Sequence, residues 1–208
     1  MKKSALTLVG LTVLVVLVSL AVVAEVQTPS CQTALLVIDI QSAWLDGGSL
    51  TTDGVLVQTK TAELATAARA GSVPVVFVID VSGRGYYSDA ELEVAFPHEV
   101  QAQDHVVEKL FSNGFRETTL GELLRGIGVT TVLITGYASQ GCVNATISGA
   151  RSEGFEIIII EDAHSGGGHG DRAAAKNGLW RRLGFNVTPS SEIDFATLCP
   201  QPDSEETE

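Results

Sequence analysis

The chain has 208 residues, of which 45% are hydrophobic and 18% charged, and its formal net charge is −12. This composition excludes a disordered chain and suits one domain with a sizeable core. The acidic balance argues against nucleic acid as a partner, because gripping phosphates needs a basic face.

In chain order, Lys2 and Lys3 precede an uncharged apolar run over residues 4–24, the grammar of an export signal. Val22-Val23-Ala24 offers small residues to a signal peptidase, yet the run is nearly long enough to span a bilayer. A cleaved leader (residues 1–25) and a retained membrane tether (residues 4–24) therefore both stay open. Either way the lysines hold the N-terminus inside, so the domain is expected beyond the cytoplasmic membrane: secreted, periplasmic or anchored. Residues 26–33 read as a linker, 34–199 as the folded domain and 200–208 as an acidic, solvated tail.

The run ALLVIDI (34–40) predicts a parallel strand covered on both faces, with Asp39 at its end and Trp44 just beyond. Helical spacing follows over Val55–Ala70, closed by Gly71, and VPVVFVI (73–79) predicts a second buried strand ending at Asp80. Residues 81–103 predict a long irregular stretch containing Arg84, Tyr86 and Tyr87, of the length that usually serves function. His105–Leu110 is a weaker strand carrying Lys109. Thr118 or Thr119 is a cap for a helix through Arg125, and Val129–Thr135 is another strand. The stretch TGYASQGCVNATISGA (135–150) then puts Cys142 between a buried strand and the first turn of a helix. Free N–H groups and a positive dipole end there favour a thiolate, whereas a cysteine packed as a small hydrophobe is the plainer reading. FEIIII (155–160) is the most apolar strand, ending at Glu161 and Asp162. A flexible loop follows, in which His164 could face the mouth of the site, a solvated loop histidine being the plainer reading, then a helix over Arg172–Leu183 with Asp171 as N-cap. A strand at Phe185–Thr188 and a short turn capped by Ser190 or Ser191 complete the chain.

Strand and helix alternate throughout, which predicts an α/β fold with a parallel sheet and helices on both faces. Ligands of such sheets bind at the carboxyl ends of the strands, where Asp39, Asp80, the turn before Cys142 and Asp162 all fall. No G-x-G-x-x-G follows the first strand, so no dinucleotide is expected. The three cysteines, Cys31, Cys142 and Cys199, leave two options: a Cys31–Cys199 bridge tying the ends of the domain, or three free thiols. None of the four histidines has a signature spacing to Cys142. A carboxylate tuned by a cation can take a histidine's place as base, and Asp39 and Lys109, both placed on strands, fit that role beside a thiol. A strand-end turn for Asp39 and a solvated strand edge for Lys109 are the plain alternatives.

Four segments, LLVIDIQ, VVEKLFSNGF…TTLGELL, VLITGYASQGCVNATISGA and FEIIIIEDAHSGG, come in an order that resembles the isochorismatase-like cysteine hydrolase family over nearly the whole domain. The resemblance implies a Rossmann-like three-layer sandwich with a six-stranded parallel sheet. It implies a catalytic set of Asp39, Lys109 and Cys142, and an oxyanion hole from the N–H groups of Ala138 and Cys142, with a cis Tyr137–Ala138 peptide. It implies hydrolysis of a C–N bond in a small amide through a Cys142 thioester. Trp44, Phe115 and Tyr137 are the expected substrate-binding residues, with Arg84, Tyr86 and Tyr87 as weaker candidates. Nicotinamidases of the family carry Asp-x-His after the second strand; here it is Asp80-Val81-Ser82, so no metal and no cofactor are expected. Vinyl ether cleavage, which leans on the Asp alone, and a thiol sensor on the same scaffold are the alternatives. The expected partner is a small-molecule substrate, with homo-oligomers common in the family.

Overall fold

The computed structural model describes residues 31–45, 52–95, 98–165 and 170–199. The expected leader or tether, most of the linker, Gly47-Gly48, the glycine-rich middle of the loop after Ser165 and the acidic tail lie outside them. Among the described residues no helix is long and apolar enough to cross a membrane.

The elements follow as β1 (Thr33–Ile38), α1 (Ser42–Leu45), α2 (Thr52–Ala70), β2 (Val75–Asp80), α3 (Asp89–Leu92), β3 (His105–Lys109) and α4 (Leu120–Gly126). Then come β4 (Thr131–Tyr137), α5 (Cys142–Ser152), β5 (Glu156–Ser165), α6 (Gly170–Arg182), β6 (Asn186–Thr188), a 3-10 turn at Ser190–Glu192 and α7 (Phe195–Leu198). All six strands pair in parallel in the order β3-β2-β1-β4-β5-β6. This is the expected α/β fold.

The layering follows from the pleat of β1, which is buried along its whole length. Ala34, Leu36 and Ile38 face one apolar cluster with Leu120, Leu124, Val143, Ile147 and Trp180, from α4, α5 and α6. Leu35 and Val37 face the other, with Val57, Leu64, Ala65, Ala68 and Phe195, from α2 and α7. A strand buried on both faces needs apolar residues at every position, which is why its sequence shows no alternation.

Several local expectations shift. The stretch after β2 is not wholly irregular: Ser88 and Glu91 form a capping box that starts α3. Thr118, not Thr119, serves the start of α4, accepting from the Leu120 N–H at 3.3 Å. Helix α6 already includes Asp171, so Asp171 is not its cap. Asp194 caps α7, while Ser190 instead binds the Asp162 carboxylate through its N–H and hydroxyl. The open cysteine question resolves as a Cys31–Cys199 disulfide with a Cα–Cα distance of 4.6 Å, leaving Cys142 as the free thiol.

Candidate active site

Where the strand order reverses, β1 and β4 lie side by side, and the crevice at their carboxyl ends is the usual ligand site of such sheets. Asp39 leaves β1 in a left-handed conformation, φ +51°, which Asp tolerates better than most side chains. Its N–H donates to Val78 O at 2.9 Å, and its side chain is almost fully buried. Lys109 ends β3 and is 1% exposed. The β2–β3 register puts Asp80 beside it. Cys142 opens α5.

These four residues converge. The Lys109 ammonium lies 2.9 Å from Asp39 Oδ2, 3.1 Å from Asp80 Oδ2 and 3.4 Å from Cys142 Sγ. Each of Asp39, Asp80 and Cys142 offers an atom within 4.8 Å of the others, a spacing that could hold a metal ion, but Lys109 already contacts all three. The cluster is therefore read as one with an internal cation. Cys142 Sγ and the Asp39 carboxylate lie within 4.8 Å of each other, and Asp39 Oδ1 is buried with no hydrogen-bond partner among the described residues.

Burial pushes the Asp39 carboxyl up to about 6, against the pull of Lys109 and the thiol. Burial also works on Asp80, but the Ser82 contacts and Lys109 outweigh it and hold that carboxyl below its usual value. Lys109 stays above the ordinary lysine range: burial disfavours its charge, and Asp39, Cys142 and Asp80 more than compensate. Burial, then Asp39, pushes the Cys142 thiol up to about 11, with Lys109 opposing. Burial and Asp39 thus work against the thiolate that its helix position suggested, while Lys109 works for it.

The turn between β4 and α5 is built close to β1. Gly136 has φ +118°, and any Cβ there would collide with the Ile38 backbone. The Tyr137–Ala138 peptide is cis, as the resemblance implied. Ala138 O accepts from the N–H groups of Gly141 and Val143, and the Ser139 N–H donates to Ser165 O at 2.7 Å. Among the described residues, no backbone carbonyl outside the regular elements accepts from the N–H groups of Ala138 and Cys142.

Behind this turn runs a buried chain that the sequence did not disclose. Strand β5 continues five residues past Ile160, so His164 is not a solvated loop residue but a strand residue 3% exposed. Asn177 on α6 donates its amide to Glu161 O, so its Oδ1 accepts from His164 Nε2 at 2.8 Å. That fixes the proton on Nε2, and His164 Nδ1 accepts the Ser139 hydroxyl at 2.8 Å. Burial keeps this histidine neutral, depressing its pKa.

On the other flank the fully buried Gln41 brackets Asp80, accepting its N–H at 2.8 Å and donating to its carbonyl at 3.1 Å. Its Oε1 also accepts from the Trp44 indole at 3.2 Å. Trp44 meets the Tyr87 ring edge-on at 5.4 Å, and Tyr87 meets the highly exposed Tyr86 at 4.9 Å. Arg84 is paired with Glu108 at the surface. Tyr137 is half-buried against the α2-side core. Phe115, expected in the pocket, is packed against Phe155, the residue before β5 at the amino end of the sheet. Of the residues that pack around the cluster, Asp80 carried a signal as a carboxylate at the end of a buried strand and His164 as a candidate for the site mouth, whereas Gln41, Ser139 and Asn177 carried none.

The profile of the isochorismatase domain matches residues 33–188. Streptothricin hydrolase of Streptomyces noursei is 33% identical over 135 residues, covering 64% of this chain and 49% of that protein, so the match spans about half of its length. The ureidoacrylate amidohydrolase RutB of Pseudomonas syringae is 26% identical over 206 residues, covering 80% of this chain and 83% of that one. Among solved structures, N-carbamoylsarcosine amidase from Thermoplasma acidophilum superposes with a TM-score of 0.67 at 27% identity, covering 78% of this chain and 99% of that one.

Proposed function

This chain belongs to the isochorismatase family, and on that footing we propose that it hydrolyses a C–N bond of a small amide or ureido compound through a thioester on Cys142. The observation that carries the reading is the single ammonium of Lys109 held between Asp39 Oδ2 and Cys142 Sγ, with Asp39 Oδ1 buried and unpartnered beside the thiol. Relatives described as an amidohydrolase and an amidase support the bond type.

In this scheme Asp39 takes the thiol proton as Sγ bonds to the substrate carbonyl carbon. The carbonyl oxygen becomes an oxyanion between the N–H groups of Ala138 and Cys142. Collapse breaks the C–N bond, and Asp39 returns the proton to the departing nitrogen. A water then gives a proton to Asp39 as its oxygen attacks the thioester carbonyl; the C–S bond breaks, releasing the acid, and Asp39 passes the proton back to Sγ, restoring the thiol. A thiol pushed up to about 11 suits this concerted start and makes a poor oxidation sensor. Trp44 and Tyr87 stand on the Gln41 flank of the site as an aromatic wall for substrate.

The Cys31–Cys199 disulfide supports export, since disulfides persist in oxidising compartments. We accordingly assign residues 1–25 to a leader or anchor and 34–199 to the catalytic domain.

The test is ammonia release from a panel of small primary amides and N-carbamoyl amines, with Cys142→Ala and Asp39→Asn run in parallel. Turnover lost in both variants is expected. Turnover that survives Cys142→Ala overturns the thioester, and none across the panel overturns the amide reading.

A further inference from the structure

We propose that Asp80 is a second, positioning carboxylate of this site: it holds Lys109 jointly with Asp39 and keeps a negative charge beside the base while Asp39 carries the thiol's proton. The inference rests on the hydrolase reading above.

The geometry is specific to that task. Asp80 and Lys109 are register partners on adjacent strands, and their charged atoms are 3.1 Å apart. The carboxylate is pinned from three sides. Gln41 clamps its backbone N–H and carbonyl, the Ser82 N–H donates to Oδ1 at 2.8 Å, and Lys109 holds Oδ2. Neutralising Lys109 alone would not require it, because Asp39 already does so at 2.9 Å.

The titratable groups facing one another here are Asp39 after β1, Asp80 on β2, Lys109 on β3 and Cys142 on α5. Arg84, from the loop after β2, is engaged by Glu108 at the surface. With two carboxylates, one ammonium and a neutral thiol, the resting cluster carries one net negative charge. Moving the thiol proton to Asp39 leaves that charge unchanged, because a carboxylate is lost and a thiolate gained. What Asp80 changes is where the proton prefers to be. Burial does most to raise the Asp39 carboxyl, and the charge of Asp80 adds to it, making Asp39 less willing to stay ionised and so a better base. Asp80 can keep its own charge throughout because Ser82 and Lys109 hold it ionised against its burial. The two carboxylates thus divide the work: Asp39 moves the proton, and Asp80 holds the field and the cation.

The experiment uses the purified chain and its Asp80→Asn variant, which preserves shape and one acceptor oxygen. Two profiles against pH are read: the rate of Cys142 alkylation by iodoacetamide, and the acid limb of kcat/KM on the best amide of the panel. In Asp80→Asn both are expected to move to lower pH by about one unit, with plateau turnover down about ten-fold. Asp80→Glu, which restores the charge, is expected to return the alkylation profile toward wild type. An unshifted alkylation profile in a folded Asp80→Asn overturns the proposal, as does an Asp80→Glu profile that matches Asn. Should Asp80→Asn not fold, carboxyl NMR of the wild-type chain decides. Asp80 is expected to remain ionised while Asp39 titrates near 6, and a protonated Asp80 at that pH overturns the proposal. Wild-type chain that hydrolyses no amide sinks the hydrolase reading and leaves the alkylation test standing. Normal hydrolysis with unshifted alkylation sinks only this inference.

Discussion

Two buried polar assemblies meet at the turn from Gly136 to Cys142, and they are satisfied by different means. On one side Asp39, Asp80, Lys109 and Cys142 share charge across three strand ends and a helix start. On the other, Ser139, His164 and Asn177 form a neutral chain in which every proton has one determined place. The charged assembly leaves an acceptor, Asp39 Oδ1, unsatisfied. The neutral one leaves none of its three linking groups open. A buried group without a partner costs roughly 1–3 kcal/mol, a difference in keeping with the proposed scheme, in which protons move in the first assembly and the second fixes a loop.

Removing the shared cation should give the largest effect. Lys109→Met leaves the buried Asp39 and half-buried Asp80 carboxylates facing each other and the thiol. Loss of kcat/KM of about a thousand-fold or more is expected, with the acid limb displaced to higher pH as Asp39 loses its counter-charge. Denaturant unfolding should show a loss of about 3–5 kcal/mol, the cost of leaving buried charge uncompensated. Turnover within ten-fold of wild type would erase the distinction between the assemblies.

Cutting the neutral chain should cost less and in a different currency. His164→Ala orphans the Ser139 hydroxyl and the Asn177 carbonyl and removes the edge contact with Trp180 at 5.1 Å. A stability loss of about 2–3 kcal/mol is expected, with kcat down about ten- to a hundred-fold because the turn bearing the Ala138 N–H is loosened. The acid limb should stay in place, since no charge has been removed. A displaced limb would mean that the relay exchanges protons with the site.

The contrast also explains what could be read before the structure was known. The strands were legible because a parallel sheet favours apolar residues at buried positions, as in β1 over residues 34–38 and β5 over residues 157–160; the buried His164 and Ser165 at the end of β5 break that rule. Asp39, Lys109 and Cys142 were legible because ionisable groups are out of place on buried strands and at a buried turn, and because their segments come in family order. Asp80 was visible as a strand-end carboxylate, but its hold on Lys109 depends on the β2–β3 register, which leaves no mark in either strand. His164 was misread because Glu161 and Asp162 looked like the end of β5, and the glycines that follow looked like a loop. Neutral hydrogen-bond chains have no period and no charge signature. The disulfide was open for a similar reason: 168 residues separate Cys31 from Cys199, and only the docking of α7 beside the start of β1 brings their Cα atoms to 4.6 Å.

The smallest expected effect tests the two assemblies through stability alone. The Asp39 carboxyl is raised from 3.8 to about 6 in the folded chain. Between those values the folded state binds more protons than the unfolded one, so acidifying from pH 7 to pH 5 adds stability through Asp39. The His164 ring is depressed below 6.5, and His98, buried against Thr61 and Phe77, falls to about 4. Over the same interval the unfolded chain takes up protons at both histidines that the folded chain refuses, so acidification removes stability through them. Urea unfolding of wild type, Asp39→Asn and His164→Asn at pH 7 and pH 5 separates the two signs. Asp39→Asn should lose more stability than wild type on acidification, and His164→Asn should lose less. Equal pH dependence in all three chains would mean that neither group's proton affinity changes on folding, and the division into a proton-moving cluster and a proton-fixed scaffold would fail.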